Sequence, residues 1–349
     1  MTTPRHKPDR RSPSRPKDTR RGTGKSAPIR HHHIFSAIIA RAEDLEPVSL
    51  AVVYPLSEVS LRGACEAAEL GLVRPILIGP VAELTAFADS LGLDISDYEL
   101  VAADSEEAAA EAGVDLCHAG KAEALMKGSL HTDHLMHAVM KDGSGLRTAR
   151  RVSHVFVLDV PAYPRMLMIT DAAINIYPTL EDKVDIVRNA IELAQVLGVE
   201  EPKVAILSAV ETVTPKIVST LDAAALCKMA DRGQITGGVL DGPLAFDNAI
   251  DLKAAQIKHI HSPVAGKADI LLVPDLEAGN MLAKQLEYLA RSEAAGIVLG
   301  ARVPIILTSR ADSAKARLAS CAVGVLLAHD RRKTAAPSSS YALANGTPT

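Results

Sequence analysis

Between residues 49 and 327 the chain alternates throughout between short apolar runs and stretches whose apolar residues fall at helical spacing. Residues 49–54, 74–78, 124–127, 155–160, 166–170, 204–208, 270–273, 297–299 and 304–307 have strand length and little polar content. A strand that is apolar on both faces has to be covered on both, and the intervening segments have the period of helices. Helices are expected at 57–70, 81–90, 105–112, 132–141, 179–197, 215–231, 278–291 and 312–327. This pattern predicts an α/β fold of mostly parallel sheet packed between helices. With 3% aromatic residues and no tryptophan, the core has to be aliphatic.

The length of 349 residues is large for a single core and favours two domains. Breaks fall at Asp142-Gly143-Ser144-Gly145 and near residues 300–303. The chain then reads as residues 34–145 with 304–330 in a first α/β/α lobe, and 146–303 as a second lobe inserted into it, with a cleft between. Residues 1–33 and 331–349 read as tails. The first thirty residues carry ten Lys/Arg and two Asp and few apolar groups, a composition that cannot bury enough surface to fold. The net charge of −4 therefore leaves −12 on the body, which argues against a nucleic-acid partner. Cys65, Cys117, Cys227 and Cys321 form no CxxC pair, so they read as reduced thiols of a cytoplasmic protein. No apolar run reaches membrane-spanning length.

Candidate chemistry sits where strands hand over to helices. Thr308-Ser309-Arg310 follows a buried run and opens a helix, bringing hydroxyls, a guanidinium and unpaired N–H groups together. A helix cap at Thr308 or Ser309 with a solvated Arg310 explains the same segment equally well. Lys127-Gly128-Ser129-Leu130-His131-Thr132 repeats the arrangement: Lys127 supplies charge, Gly128 admits a close backbone and Thr132 can cap. A simple capped turn fits that segment too. Asp171 and Asn175 follow another strand, the stretch 237–247 is a glycine-rich loop containing Asp241, and Asn280 lies just beyond Asp275 at a helix start. Ser153, His154 and Asp159 have no spacing that supports a hydrolytic set. A cleft lined in this way suits a phosphorylated small molecule held without a metal.

Met126-Lys127-Gly128, residues 170–179, 237–250, 274–280 and 307–313 occur together in the order seen in phosphate acetyl/butyryltransferases, and the chain resembles that family from about residue 49 to 327. The stretches 234–250 and 305–313 look closer to the butyryl branch. The resemblance implies reversible acyl transfer between coenzyme A and phosphate, by a homodimer with no tightly bound cofactor and coenzyme A as substrate. It assigns Ser309 and Arg310 to coenzyme A binding and transition-state stabilisation. The family's acetyl enzymes carry an aspartate, proposed as thiol base, where this chain has Ala316, and an arginine where His137 falls. Either another group serves as base or the thiol ionises unaided in a positive pocket. Asp312 is the nearest candidate, and an acid at a helix amino terminus explains it equally well. Two other readings stay open. One is a metal- and NAD-dependent hydroxyacid dehydrogenase built on Asp241, Asp247 and Asp275, and the other is a coenzyme A sensor that has lost catalysis.

Overall fold

The computed structural model describes residues 33–307 and 313–335. Its strands are β1 (Val48–Val53), β2 (Val73–Gly79), β3 (Glu99–Ala102), β4 (Ala124–Lys127), β5 (Ser153–Asp159), β6 (Leu167–Thr170), β7 (Lys203–Leu207), β8 (Val239–Leu244), β9 (Ile270–Leu272), β10 (Glu293–Leu299) and β11 (Ile305–Ile306). They join into one sheet in the order β3-β2-β1-β4-β11-β10-β5-β6-β9-β7-β8. Strands β3, β2, β1, β4 and β11 form one parallel block, and β6, β9, β7 and β8 form another. Three antiparallel pairings, β11 to β10, β10 to β5 and β5 to β6, join the blocks, so the second block runs opposite to the first. The sheet is mostly parallel, and it is continuous.

The helices are α1 (Ile34–Glu43), α2 (Glu58–Glu69), α3 (Val81–Leu91), α4 (Glu106–His118), α5 (Thr132–Met140), α6 (Leu180–Val196), α7 (Val218–Asp231), α8 (Phe246–Ile250), α9 (Leu252–Ile257), α10 (Leu276–Leu289) and α11 (Ala314–Ala335). Local chemistry explains many of their starts. Ser105 and Asp275 accept N–H groups three residues on, and Thr179 with Asp182 forms a full capping box. Three expectations give way. Pro215 does not begin α7, which starts at Val218. The expected loop at 237–247 contains β8, an edge strand whose glycine and proline are tolerated because one side of it is unpaired. Residues 331–335 are not tail but the last turn of α11, held where Arg332 Nε and Nη2 bond Glu123 at 2.5 and 2.6 Å.

One face of the sheet carries a single aliphatic core that spans both blocks. It takes Phe35 from α1, Leu61 from α2, Ile186 from α6, Leu226 from α7 and Val323 from α11, against Leu50, Val155 and Ile270 of the sheet. The other face carries two separate cores. Leu135 and Val139 of α5 pack with Val114 of α4 over the first block, while Ala249, Ala255 and Ala283 of α8, α9 and α10 pack over the second. Each fully buried Leu, Ile or Val contributes about 1.5–3 kcal/mol, so the shared face binds the halves together and the divided face leaves a gap between them.

The connections between halves also pair with each other. Arg147 bridges Ala301 in antiparallel fashion, Arg302 N–H donates to Leu146 O at 2.8 Å, and Thr148 Oγ1 donates to Gly300 O at 2.6 Å. Gly300 takes φ 82°, which suits glycine at the turn out of β10.

Candidate active site

The strand order of the first block creates a crevice. From β1 the chain moves outward through α2 and α3 on the shared-core face, then returns through α4 on the opposite face to β4, on the other flank of β1. Helices α2 and α5 thus leave the adjacent ends of β1 and β4 toward opposite faces. In open α/β sheets this switch point, at the carboxyl ends of the strands, is where ligands bind. Lys127 lies there, as does the chain's departure from β11. Strand β11 pairs with β4 through Ile305–Leu125 and Ile306–Met126, so Leu307 ends one strand, ~4.8 Å, from Lys127. The two anion-type segments read from sequence therefore start side by side.

Gly128 has a specific reason for being glycine. An added Cβ would sit 2.2 Å from Val53 O and 2.5 Å from Tyr54 O. Gly128 N–H donates to Val53 O at 2.8 Å, Ser129 N–H to Tyr54 O at 2.9 Å, and Ser129 Oγ to Tyr54 O at 2.7 Å. The close approach it permits is thus to the end of β1. Tyr54 itself has φ 52°, a left-handed conformation that costs a tyrosine roughly 1–3 kcal/mol and is concentrated at functional sites. The half-buried Lys127 ammonium reaches Gly128 O at 3.3 Å.

The amino terminus of α5 is already partnered. Glu106 Oε2 accepts His131 N–H at 3.1 Å and lies 2.9 Å from His134 Nδ1. Thr132 is the first helical residue rather than the cap, and the capping position, His131, makes no side-chain cap. A carboxylate of this chain thus takes the position an anionic ligand was expected to take.

Thr308, Ser309, Arg310 and Asp312 lie outside the described residues. The cap of the helix that follows them does not. Ser313 Oγ accepts Ala316 N–H at 3.1 Å and so caps that helix. Ala316 is buried in the shared core. His137 is exposed on α5.

Over the gap between the divided cores, β10 and β5 present Gly296, His154 and Phe156. Phe156 is paired with Gly296, and a Cβ on Gly296 would meet Leu307 O at 2.5 Å and His154 Nε2 at 3.0 Å. His154 stacks edge-on against Phe156, and burial pushes its imidazole down to about 4, so it is neutral at pH 7. Its Nδ1 has no hydrogen-bond partner among the described residues. Lys284 of α10 places its ammonium 5.9 Å from the Phe156 ring centre. Sequence reading missed Tyr54, Phe156 and Lys284. The only signals were an aromatic residue in an aliphatic strand and a lysine on a helix already assigned to core.

Other expected site residues do not join this crevice. Asp171 closes a turn by accepting Ala173 and Ile174 N–H at 2.9 and 3.0 Å and Asn175 Nδ2 at 2.5 Å. Asn280 donates to Ala172 O at 3.2 Å, beside a strand that leaves the sheet at the opposite edge from Lys127. Asp241 lies on β8, six strands from β11 and so about 29 Å away along the sheet. Asp275 is a helix cap, and among the described residues no three His, Cys, Asp or Glu side chains converge as metal ligands. The aspartate cluster that a metal-dependent dehydrogenase requires is not formed by Asp241, Asp247 and Asp275. Among the described residues no helix is long and apolar enough to cross a membrane.

Residues 105–325 match the family described as "Phosphate acetyl/butaryl transferase". The chain is 61% identical over 298 residues to a phosphate acetyltransferase of Rhizobium meliloti, covering 85% of this chain and 94% of that one. It is 41% identical over 297 residues to a phosphate butyryltransferase of Clostridium acetobutylicum, covering 85% of this chain and 99% of the other. Overall identity therefore does not favour the butyryl branch. A branched-chain phosphotransacylase from Enterococcus faecalis V583 superposes with a TM-score of 0.69 at 29% identity, covering 81% of this chain and 99% of its own. A phosphotransacetylase from Streptococcus pyogenes has the same fold, with a TM-score of 0.72 at 23% identity over 85% of this chain and 98% of its own.

Proposed function

The chain belongs to the phosphate acetyl/butaryl transferase family, and from that premise we propose that it transfers a short-chain acyl group, acetyl to butyryl, reversibly between coenzyme A and inorganic phosphate. The observation that carries the reading is the adjacency of β4 and β11 at the switch point. It starts the Lys127 segment and the Thr308–Asp312 segment from neighbouring strand ends. Ser309 and Arg310 are the proposed catalytic pair. Lys127, Gly128 and Thr308, with His131 and Thr132 at the margin, shape the binding crevice. Asp241 and Asn280 are not part of it.

In the direction of coenzyme A acylation, the thiolate sulfur bonds to the carbonyl carbon of acyl phosphate and the carbonyl electron pair moves to oxygen. Ser309 donates a hydrogen bond to that oxyanion. Arg310 and Lys127 hold the phosphoryl oxygens, and collapse of the intermediate breaks the acyl carbon–oxygen bond and releases phosphate. The thiol proton passes to Asp312 or to solvent. A thiol with an ordinary pKa near 8.5 ionises more readily beside two cations, so a carboxylate at position 316 is dispensable. No metal or tightly bound cofactor takes part in this scheme. The protein is further read as a cytoplasmic homodimer, with residues 34–145 and 304–330 as one domain and 146–303 as the other. The paired crossings at Arg147–Ala301 support that division, while the shared core limits how independently the two move.

The purified protein should release CoA from acetyl-, propionyl- or butyryl-CoA only when phosphate is added, and Arg310→Ala should raise the KM for CoA or phosphate. Absence of phosphate-dependent release across all three substrates would remove the assignment. Tight CoA binding without turnover would instead indicate a sensor.

A further inference from the structure

Where the two crossings pair, a cleft of about 360 Å³ opens at the sheet edge opposite the crevice. Its wall carries Arg150 from the first crossing, Arg302 from the second, Arg331 from α11 and Glu192 from α6. Three guanidinium groups thus face one carboxylate. Arg150 is ion-paired with Glu192. Arg302 is exposed and bonds through its backbone, N–H to Leu146 O at 2.8 Å. Arg331 Nη1 is buried and has no hydrogen-bond partner among the described residues. Burial pushes the Arg331 guanidinium down from its ordinary value, and the attraction of Glu192 and Asp330, opposed by Arg150, does not fully offset that burial. A buried donor without an acceptor is costly, and a guanidinium fork is shaped for phosphoryl oxygens.

We propose that this cleft is a second, regulatory site for a small anion carrying phosphoryl charge, distinct from the acyl-transfer crevice. Its walls come from both crossings and from one helix of each half, so an anion that bridges Arg302 and Arg331 fixes the relative position of the halves. The crevice floor is made of strands from both sides of that junction, β4 and β11 against β10 and β5. Occupancy of the cleft therefore biases the geometry in which substrate is held.

Inorganic pyrophosphate is a suitable probe, measured by calorimetry on the full chain carrying Lys127→Ala, which weakens the crevice's own hold on phosphoryl oxygens. One site per chain is expected, weakened roughly tenfold or more by Arg302→Ala and by Arg331→Gln, the loss of one charge-assisted pair. Arg302 is exposed, so its variant tests the site even if Arg331→Gln fails to fold. No binding in the Lys127→Ala chain, or equal binding with and without Arg302→Ala, overturns the site. Pyrophosphate should also shift the KM for acyl-CoA at least twofold in the parent and not in Arg302→Ala, and binding without such a shift overturns the regulatory role. The kinetic arm rests on the proposed reaction, whereas the calorimetry does not, so failures of the two are separable.

Discussion

Replacing Gly128 with alanine tests whether the crevice depends on backbone-to-backbone packing. Gly128 needs space rather than a left-handed conformation, because the new methyl carbon would lie 2.2 and 2.5 Å from two carbonyl oxygens of the neighbouring strand end, where ordinary contact begins near 3.4 Å. Neither oxygen belongs to a side chain that can swing away. The end of β4 must withdraw by about 1 Å, weakening the bonds from Gly128 and Ser129 N–H to Val53 and Tyr54, at roughly 0.5–1.5 kcal/mol each. Overpacking strain adds about 1–3 kcal/mol, so the total comes to roughly 2–6 kcal/mol. At roughly 2.1 cal/mol/K of unfolding entropy per residue, a chain of 349 residues then loses roughly 3–8 °C in Tm, readable by calorimetry. The same withdrawal moves Lys127 relative to the segment leaving β11. A misplacement of about 1 Å costs on the order of a hundredfold in kcat/KM for phosphate-dependent CoA release. Gly63→Ala is the comparison, since the nearest atoms its methyl would meet belong to the Arg317 side chain, at 3.2 Å and beyond, and not to backbone, so it should have the smaller effect. If Gly128→Ala melts within about 1 °C of the parent and keeps its rate, the rigid contact between β1 and β4 is not what shapes the site.

Ser313→Ala removes the side-chain cap of α11 and should cost about 1 kcal/mol in urea unfolding; no loss would return the cap to an earlier residue. Glu123→Gln tests the pair that holds the end of α11. Arg332 lowers the Glu123 carboxyl below the ordinary carboxylate range, so the stabilisation is present above the unfolded value near 4.3 and fades as pH falls through the folded one. The variant should lose about 1 kcal/mol at pH 7 and converge with the parent in strong acid, and a gap that persists there would refute the pairing. Burial pushes the thiols of Cys117, Cys227 and Cys321 up to about 12, so thiol reagents should label them at pH 8 only after denaturation. Rapid native labelling of Cys321 would contradict its buried position on α11.

Much of both blocks was legible because most of their strands are short, aliphatic and bounded by helix starts with recognisable caps. Thr179 with Asp182 is an example in which three consecutive levels, residue type, spacing and hydrogen bond, agree. Strand β8 was hidden for the opposite reason. It lies at an edge, where Gly242 and Pro243 carry turn chemistry in sequence, yet β7 supplies a partner that only the folded chain brings alongside. Helix α1 was missed too. It owes its place to packing against α11, nearly three hundred residues away, through Phe35 and Ile38.

The site divides in the same way. Local sequence offered Lys127, Ser309 and Arg310 as candidates, since a strand that ends in hydroxyls or a cation before a helix suits an anion, although a capped turn fits the same residues. The distribution of apolar residues likewise determined that the chain is an α/β protein with an aliphatic core. Sheet order is set by pairings between residues far apart in the chain, so tertiary structure alone decided which strand ends are neighbours. It placed Lys127 one strand from Leu307 and Asp241 six strands away, gave the α5 amino terminus to Glu106, and spent the freedom of Gly128 on the end of β1. Residue type specifies what a group can bind, and strand register specifies what it can reach.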